Sequence, residues 1–343
     1  MKKLLTLLLY LPLLGQAQQT INGSIIHDGL QRDYILYVPA SYSPGTPAPL
    51  VFNFHGYTSN ASQQMWYGSF TSIADNEGFI IVHPEGTLDN TGNTHFNVGW
   101  GGSTVDDIGF TEALMDDLIA TYSIDNNRIY STGMSNGGFM SYQLACELSD
   151  RIAAIASVTG SMNIGWFNSC NPTHPMPVME IHGTNDPTVN YNASNFTESI
   201  PDIMDFWANF NNCDNMPIVT NVPNTNTIDG CTAEHQLWDN GANGVAVEHY
   251  KIIDGEHTWP GAPIALGTTN YDIDASEIIW EFFAKYDING VITPNSISNF
   301  TTNKSPKLIK IVDVLGRVTS PKPNSTLFYI YNDGTVEKKM SIK

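Results

Sequence analysis

Residues 128–139 of the chain, RIYSTGMSNGGF, decide the fold. The short run at residues 128–131 predicts a strand, and the amphipathic residues 137–148 predict a helix. Between them, Gly133 and Gly137 flank Ser135, and glycine lets a chain turn sharply. A strand that passes through such a turn into a helix is expected to hold the serine hydroxyl clear of the sheet. Ser135 is therefore the candidate nucleophile.

A serine alcohol needs a base to take its proton. Behind a turn of this kind the partners are expected in the order serine, acid, histidine. Asp186 lies in HGTNDP (residues 182–187) and His257 in GEHTWPG (residues 255–261), and each motif follows an apolar run. We expect Asp186 to hold the imidazole of His257, which acts first as base and then as acid.

Other assignments of the acid and the base stay open at this stage. Asp186 also fits a simple turn before Pro187. His182 and His55 each abut a glycine at a predicted strand end, where a histidine orders a loop by hydrogen bonding. Three further carboxylates are alternative acids: Asp202, Asp205 and Glu256.

Two backbone amides are candidates for stabilising a negatively charged oxygen. The Asn136 N–H lies at the start of the predicted helix, where backbone donors are unpaired. The Tyr57 N–H lies in the HGYT loop (residues 55–58) after a predicted strand, and Thr58 is the alternative donor. Thr58, Trp259 and Trp100 are the predicted substrate-binding residues, because the tryptophans lie beside the motifs and can stack on a planar group or a sugar ring.

The remaining pattern predicts an α/β fold with a mainly parallel central sheet and helices on both faces. Asp28-Gly29 predicts an opening hairpin, and Asp106 or Asp107 is expected to cap a helix. The last predicted strand covers residues 245–253. Earlier strands are expected at residues 50–54, 79–82, 128–131, 152–158 and 177–181, with helices at residues 137–148 and 276–283.

The N-terminus has the features of a secretory signal peptide. Lys2 and Lys3 precede the apolar residues 4–14, and Gly15-Gln16-Ala17 offers small residues for cleavage. We expect residues 1–17 to be removed, with a membrane anchor as the alternative. The apolar run is short for a membrane span, and we expect no stable span elsewhere.

Charged residues are unevenly distributed along the chain. The formal net charge is −19, yet eight of the 15 basic residues lie beyond residue 300. The acidic body repels nucleic acid and anionic lipid, so neither is an expected partner. We expect a catalytic domain at residues 18–290, a polar linker at residues 291–306 and a β-rich tail module at residues 307–343.

Four cysteines fit an exported protein, and four cysteines allow three pairings. Cys213 with Cys231 is the favoured pair because both lie in an Asn-rich, loop-like region, and Cys146 with Cys170 is the second choice. Cys146 also fits a buried small hydrophobe. No cysteine spacing resembles a zinc site, so we expect no metal.

Several motifs together resemble the polyhydroxybutyrate depolymerase-like esterases, a group that includes feruloyl and acetylxylan esterases. The resemblance spans roughly residues 20–285. It implies an α/β-hydrolase fold, extracellular carboxylic-ester hydrolysis without a cofactor, and a triad of Ser135, His257 and Asp186. The motifs are VDDIGF (residues 105–110), GMSNGG (133–138), LACELSDR (144–151), HGTNDP (182–187) and GEHTWPG (255–261).

The tail resembles a different group. Residues 307–317 and 327–339, the second with an Asp333-Gly334 turn, are similar to the C-terminal sorting signal of the type IX secretion system of Bacteroidota. That likeness implies the type IX secretion machinery as a partner and an extracellular or cell-surface location. A carbohydrate-binding appendage is the alternative.

Feruloyl or acetyl esters of plant cell-wall polysaccharide are the expected substrates. A polyhydroxyalkanoate or polyester depolymerase is the first alternative. A peptidase on the same fold and a non-catalytic secreted binding protein are further alternatives.

Overall fold

The computed structural model describes residues 18–292, 308–313, 317, 319, 326–331 and 336–340. The predicted signal peptide and most of the predicted linker lie outside these residues. The chain divides into two compact units, Met1–Ile292 and Thr293–Lys343. None of the helices within the described residues is long and apolar enough to cross a membrane.

The first unit alternates strands and helices. In chain order its elements are β1 (Gln19–His27), β2 (Leu30–Val38), β3 (Ala48–Phe54), α1 (Ala61–Gly68), α2 (Thr71–Glu77), β4 (Ile80–Pro84), β5 (Thr87–Leu88), β6 (Thr94–His95), α3 (Asp107–Thr121), β7 (Ile124–Met134), α4 (Asn136–Glu147), β8 (Ala154–Val158), α5 (Ile164–Phe167), β9 (Val178–Gly183), α6 (Ile200–Phe210), β10 (Ile218–Asn221), β11 (Thr232–Trp238), a short 3₁₀ turn (Ala242–Gly244), β12 (Val247–Ile253), α7 (Ala275–Phe283), β13 (Tyr286–Asp287) and β14 (Gly290–Val291).

Ten of these strands form one sheet in the order β1-β2-β4-β3-β7-β8-β9-β12-β11-β10. The six central strands, β4 to β12, pair in parallel, and two antiparallel strands flank them on each side. The predicted mainly parallel sheet is thus confirmed. Parallel strands place their carboxyl ends at one edge, so the loops after β7, β9 and β12 meet there.

Helices cover both faces of this sheet. Alternate residues of a strand point to opposite faces, and along β3 Phe52 packs in one apolar cluster while Val51 packs in the other. The first cluster takes Phe139 from α4 and Trp207 from α6. The second takes Phe283 from α7. A fully buried side chain of this size contributes about 1.5–3 kcal/mol, so these two layers hold the site's strands in place.

Local signals in the sequence account for two further elements. Asp28 and Gly29 both have positive φ, and β1 pairs with β2 from the His27–Leu30 pair onward, so the predicted hairpin is present. The Asp106 carboxylate accepts from the Gly109 N–H at 2.8 Å and so caps α3.

Two strands of the ten-stranded sheet, β10 and β11, were not predicted. β10 is exposed along its whole length, and β11 mixes Glu234, His235 and Gln236 with apolar residues. Such edge strands lack the apolar run that identifies the central ones.

The favoured cysteine pairing is wrong. A disulfide joins Cys146 to Cys170, whereas Cys213 and Cys231 are buried free thiols. Cys213 packs in the apolar cluster on one face of the sheet, and Cys231 packs in the cluster on the other face. The sheet therefore separates the two sulfurs, which the loop-like sequence around them does not reveal.

The second unit contains an antiparallel three-stranded sheet in the order β15 (Leu308–Val312), β16 (Thr326–Tyr331) and β17 (Val336–Met340). The predicted turn at Asp333-Gly334 lies outside the described residues.

Candidate active site

Ser135 occupies the sharp turn between β7 and α4, with φ 54° and ψ −118°. A non-glycine residue in such a conformation costs about 1–3 kcal/mol, so its surroundings must hold it. The Ser135 N–H donates to the Val158 carbonyl at 2.8 Å. Glycine is required on both sides: a Cβ on Gly133 would lie 2.6 Å from the Phe54 carbonyl oxygen, and one on Gly137 would overlap that oxygen.

Asp186 and His257 come together from loops at neighbouring strand ends. Asp186 follows β9, His257 follows β12, and these two strands pair in parallel. The Asp186 Oδ2 lies 2.6 Å from the His257 Nδ1. The Asp186 Oδ1 accepts from the Thr188 and Val189 N–H groups at 2.8 and 2.9 Å. The carboxylate is therefore fully engaged, with one oxygen directed at the imidazole.

The surroundings of Asp186 favour its charged form. Burial raises the pKa of this carboxyl group, but interactions with His182 and His257 outweigh burial and hold the pKa below its ordinary value. A carboxylate that stays charged can accept the Nδ1–H of His257, which leaves Nε2 with its lone pair free for a proton.

The alternative acids do not reach His257 within the described residues. The Asp202 carboxylate lies at the start of α6 and accepts from the Ser199 hydroxyl at 2.5 Å. The Glu256 carboxylate accepts from the Thr268 N–H at 3.0 Å. Asp205 is exposed on α6.

Ser135 and His257 line the same cavity, of about 390 Å³. No hydrogen bond joins the Ser135 hydroxyl to the imidazole among the described residues. Such bonds are often long in free enzymes and tighten when substrate binds. The His257 side chain keeps 18% of its surface exposed, so a substrate can reach it.

The two predicted oxyanion donors remain available. Within the residues that the structure describes, neither the Tyr57 N–H nor the Asn136 N–H has an acceptor. The alternative donor is excluded, because the Thr58 N–H already donates to the Thr94 carbonyl at 2.9 Å. Thr58 also lines neither of the cavities beside Ser135.

Two clefts meet at Ser135 and Tyr57. We name the first, of about 390 Å³, the His257 cleft; besides Ser135 and His257 it is lined by Gln63, Trp66, Ile264 and Leu266. We name the second, of about 720 Å³, the Trp100 cleft; besides Ser135 it is lined by Trp100, Phe139, Asn163, Asn190 and Phe196. Among the described residues, no Asp, Glu, Lys or Arg lines either cleft, although the chain as a whole is strongly acidic.

Trp100 lines the second cleft together with Ser135. Its ring contacts Phe139 edge-on, with centroids 5.1 Å apart, and 42% of its surface is exposed. The loop before it is tied to the turn at Ser135, because the Asn136 side chain accepts from the Phe96 N–H at 2.7 Å and donates to the Phe96 carbonyl at 3.0 Å.

Trp259 does not lie at the site, which corrects its predicted role in substrate binding. Only 1% of its surface is exposed. The ring packs edge-on against Phe70, and its N–H donates to the Ser276 hydroxyl of α7 at 3.1 Å. Two residues of separation from His257 are enough to direct this side chain into the core.

A buried polar network beneath Asp186 was not predicted beyond a loop-ordering role for His182. The His182 Nε2–H donates to the Val189 carbonyl at 2.8 Å, and its Nδ1 lies 2.9 Å from the Glu180 carboxylate. Tyr142 donates to the other Glu180 oxygen at 2.8 Å. Burial lowers the pKa of His182, but contacts with Asp186 and Glu180 raise it to a final value of about 9.

The sequence held one signal for this network. Glu180 is an isolated acid within the apolar strand VMEIHG of β9. Burial raises the pKa of Glu180 in spite of the hydrogen bonds it accepts. A buried acid needs a partner. Here the partner is His182, which lies two residues further along the same strand.

One cluster of described residues could ligate a cation. His27, Asp28 and Asp106 bring one ligand atom each within 4.8 Å of one another. None of the three lines either cleft beside Ser135.

Comparison with known proteins identifies a family of esterases and relatives named as esterases. Residues 32–215 match the family model described as esterase PHB depolymerase. The bifunctional acetylxylan esterase/xylanase XynS20E of Neocallimastix patriciarum is 26% identical over 80% of this chain and 36% of its own length. Feruloyl esterase B of Piromyces equi is 29% identical over 66% of this chain and 42% of its own length. The chain thus spans less than half the length of these two relatives.

Solved structures agree on the architecture. Acetyl xylan esterase from Aspergillus awamori is similar over 78% of this chain and 99% of its own, with a TM-score of 0.52 and 15% identity. A likeness at this identity shows the fold alone. Together with the sheet order, it confirms the predicted α/β-hydrolase fold.

Proposed function

The chain belongs to the esterase PHB depolymerase family, and on that premise we propose that it hydrolyses carboxylic esters through an acyl-enzyme on Ser135. The observation that supports this most is the 2.6 Å contact between Asp186 and His257, with His257 and Ser135 on one cavity. His257 is the base and Asp186 holds it. Tyr57 and Asn136 donate to the oxyanion.

The proposed reaction has two balanced steps. The Ser135 Oγ attacks the ester carbonyl while its proton passes to the His257 Nε2, and the Tyr57 and Asn136 N–H groups stabilise the negative oxygen. One such donor is worth about 2.7–4 kcal/mol in the transition state. His257 then protonates the leaving alcohol, and Ser135 keeps the acyl group. In the second step a water molecule attacks the acyl carbonyl while its proton passes to the His257 Nε2. His257 then returns the proton to the Ser135 Oγ as the bond to the acyl group breaks and the acid leaves.

Feruloyl or acetyl esters of plant cell-wall polysaccharide are the proposed substrates. The relatives named for acetylxylan and feruloyl ester hydrolysis support this class. The two clefts support it as well, because their aromatic and amide side chains suit uncharged rings.

A polyester depolymerase is the second candidate. Three apolar side chains at the cleft mouths are strongly exposed: Trp66 by 53%, Leu266 by 62% and Phe196 by 74%. Exposed apolar groups of this kind suit contact with a hydrophobic polymer surface.

A substrate panel tests the proposal: methyl ferulate, acetylated xylan, a polyhydroxybutyrate film and a peptide amide. We expect both plant-type esters to be hydrolysed faster than the film, and the amide to be left intact. Preference for the film would favour the second candidate. Cleavage of the amide alone would contradict ester hydrolysis, and turnover of none of them would favour a binding protein.

We also propose that the protein is exported, with residues 1–17 as the secretion signal and residues 307–343 as a type IX sorting signal. The basic and apolar N-terminus and the β-strand pattern of the tail support this. In a host that has type IX secretion, deletion of residues 307–343 is expected to retain active enzyme in the periplasm. Undiminished release into the medium would contradict the role of the tail.

A further inference from the structure

We propose that the ester lies across Ser135 in one direction, with a planar aromatic acyl group in the Trp100 cleft and the alcohol, a sugar, in the His257 cleft. This assignment rests on the proposed function, because it requires Ser135 to attack an ester. It specifies which cleft each half of the substrate occupies, and it predicts that aromatic acyl esters are better substrates than acetyl esters.

The direction follows from the position of His257. The leaving oxygen must take its proton from the His257 Nε2, so it must lie within hydrogen-bond reach of that ring. His257 lines the smaller cleft and does not line the Trp100 cleft. The carbonyl oxygen points to the Tyr57 and Asn136 N–H groups. The acyl chain is the remaining substituent of the tetrahedral carbon, so it extends away from His257, into the Trp100 cleft.

The Trp100 cleft suits a flat, uncharged acyl group. Trp100 and Phe196 supply exposed aromatic surface, with the buried Phe139 ring packed behind Trp100, and stacked or edge-on ring pairs add about 0.5–1.5 kcal/mol beyond area burial. Asn190 supplies an amide group for a hydroxyl on the ring. The volume of about 720 Å³ far exceeds what an acetyl group fills.

The His257 cleft suits a sugar. The exposed indole of Trp66 offers a flat apolar surface, and the Gln63 side chain offers hydrogen bonds beside it. Ser59 lies in the same wall, and its hydroxyl donates to the side-chain Oε1 of Gln63 at 2.9 Å. That bond leaves the Gln63 amide N–H groups to face a hydroxylated alcohol.

Acyl-enzyme kinetics separate the two sides, because the alcohol has left before deacylation begins. In Trp100→Ala and Phe196→Ala we expect deacylation of the feruloyl-enzyme to slow about five- to tenfold, and deacylation of the acetyl-enzyme to change far less. In Trp66→Ala we expect wild-type deacylation. Its kcat/KM should fall about five- to tenfold for a feruloylated oligosaccharide relative to methyl ferulate. Ile228→Ala, an exposed apolar change outside both clefts, is the matched control.

The outcomes are distinguishable. Slow deacylation in Trp66→Ala, with normal deacylation in Trp100→Ala and Phe196→Ala, would reverse the assignment. The assignment would also be overturned if Trp66→Ala changed acylation and deacylation as much as Trp100→Ala and Phe196→Ala do. Absence of ester turnover by the wild-type protein would instead contradict the proposed function.

A separate set of contacts concerns His55, and from it we infer that His55 is a positioning residue for the oxyanion donor. The His55 Nε2 accepts from the Gly86 N–H at 2.9 Å, so the ring proton of the neutral imidazole lies on Nδ1. That Nδ1–H donates to the Gly56 carbonyl at 2.7 Å. The Ser59 N–H donates to the same carbonyl at 3.1 Å.

These bonds orient the amide of the next residue. The Gly56 carbonyl and the Tyr57 N–H belong to one trans peptide plane, in which they point in opposite directions. Donors that hold the carbonyl on one side therefore aim the Tyr57 N–H to the other side, where Gly56 and Tyr57 line the cleft with Ser135. Burial lowers the pKa of His55 to about 4, so the ring stays neutral at ordinary pH.

Two amide variants test this role. Asn at position 55 keeps a donor near the place of Nδ1, whereas Gln keeps a polar group near the place of Nε2 and loses that donor. We expect His55→Gln to lower kcat about ten- to a hundredfold with KM little changed, and to weaken a boronic acid inhibitor in proportion. His55→Asn should stay within about threefold of wild type in both.

Equal loss in both variants, or loss that appears only in KM, would overturn the inference. A direct measurement on the wild-type protein guards against variants that do not fold. Nitrogen NMR should find the proton of the neutral His55 ring on Nδ1, and a proton on Nε2 would contradict the inferred geometry.

Discussion

The Nδ1 of His257 lies 2.6 Å from the Oδ2 of Asp186, although 71 residues separate them in the chain. The contact exists because β9 and β12 are neighbours in the sheet and end at the same edge. It fixes the imidazole with Nδ1 as donor and directs Nε2 toward the cavity that contains Ser135. The proposed general-base role of His257 depends on this one bond.

Replacing the acid tests that bond. Asp186→Asn is expected to lower kcat about 10⁴-fold with little change in KM, because an amide can place the wrong tautomer of His257 in the site. Steady-state hydrolysis of a p-nitrophenyl ester measures it. Asp205→Asn, a change at an exposed alternative acid, should retain wild-type kcat. Normal activity in Asp186→Asn, with loss in Asp205→Asn, would move the acid elsewhere.

The buried histidine beneath Asp186 predicts a pH-dependent stability. The pKa of His182 is raised to about 9 in the folded protein, so its contribution is complete below its unfolded pKa and is lost as pH rises through about 9. The stability difference between wild type and His182→Gln should therefore shrink from about pH 6 to about pH 10. Urea unfolding at several pH values measures it. A difference that grows with pH would contradict the assigned protonation.

The disulfide makes a prediction of its own. Cys146 and Cys170 are 24 residues apart, and opening a loop of that size is expected to lower the free energy of unfolding by about 3–4 kcal/mol in the chain-entropy model. Cys146→Ala/Cys170→Ala should show this loss, and reductant should lower the melting temperature of wild type but not of this variant. Cys213→Ala is the matched control and should keep its response to reductant. Loss of that response would point to a different pairing.

The main parts of the fold and the chemistry were predictable because they depend on local signals. Gly133 and Gly137 must be glycine to let β7 and α4 approach Phe54, and Asp28-Gly29 must take positive φ to close the first hairpin. Apolar runs marked the central parallel strands. The order of Ser135, Asp186 and His257 then followed from where those strands end.

Other features depend on packing that a linear pattern does not carry. The orientation of the loop after His257 turns Trp259 into the core. The cysteine pairing depends on the face of the sheet that each cysteine reaches. Cys213 and Cys231 lie on opposite faces, so the sheet separates them. Trp66 and Phe196 border the clefts through loops and a short helix that have no motif.

The proposed mechanism requires Ser135 to form the acyl-enzyme, and two measurements test this. Ser135→Ala should lower kcat for short p-nitrophenyl esters by at least about a thousandfold, and Ser41→Ala, a surface change, should not. Mass spectrometry of wild type treated with a fluorophosphonate should find the label on Ser135 alone. Full ester turnover by Ser135→Ala, or a label on another serine, would rule out Ser135 as the nucleophile.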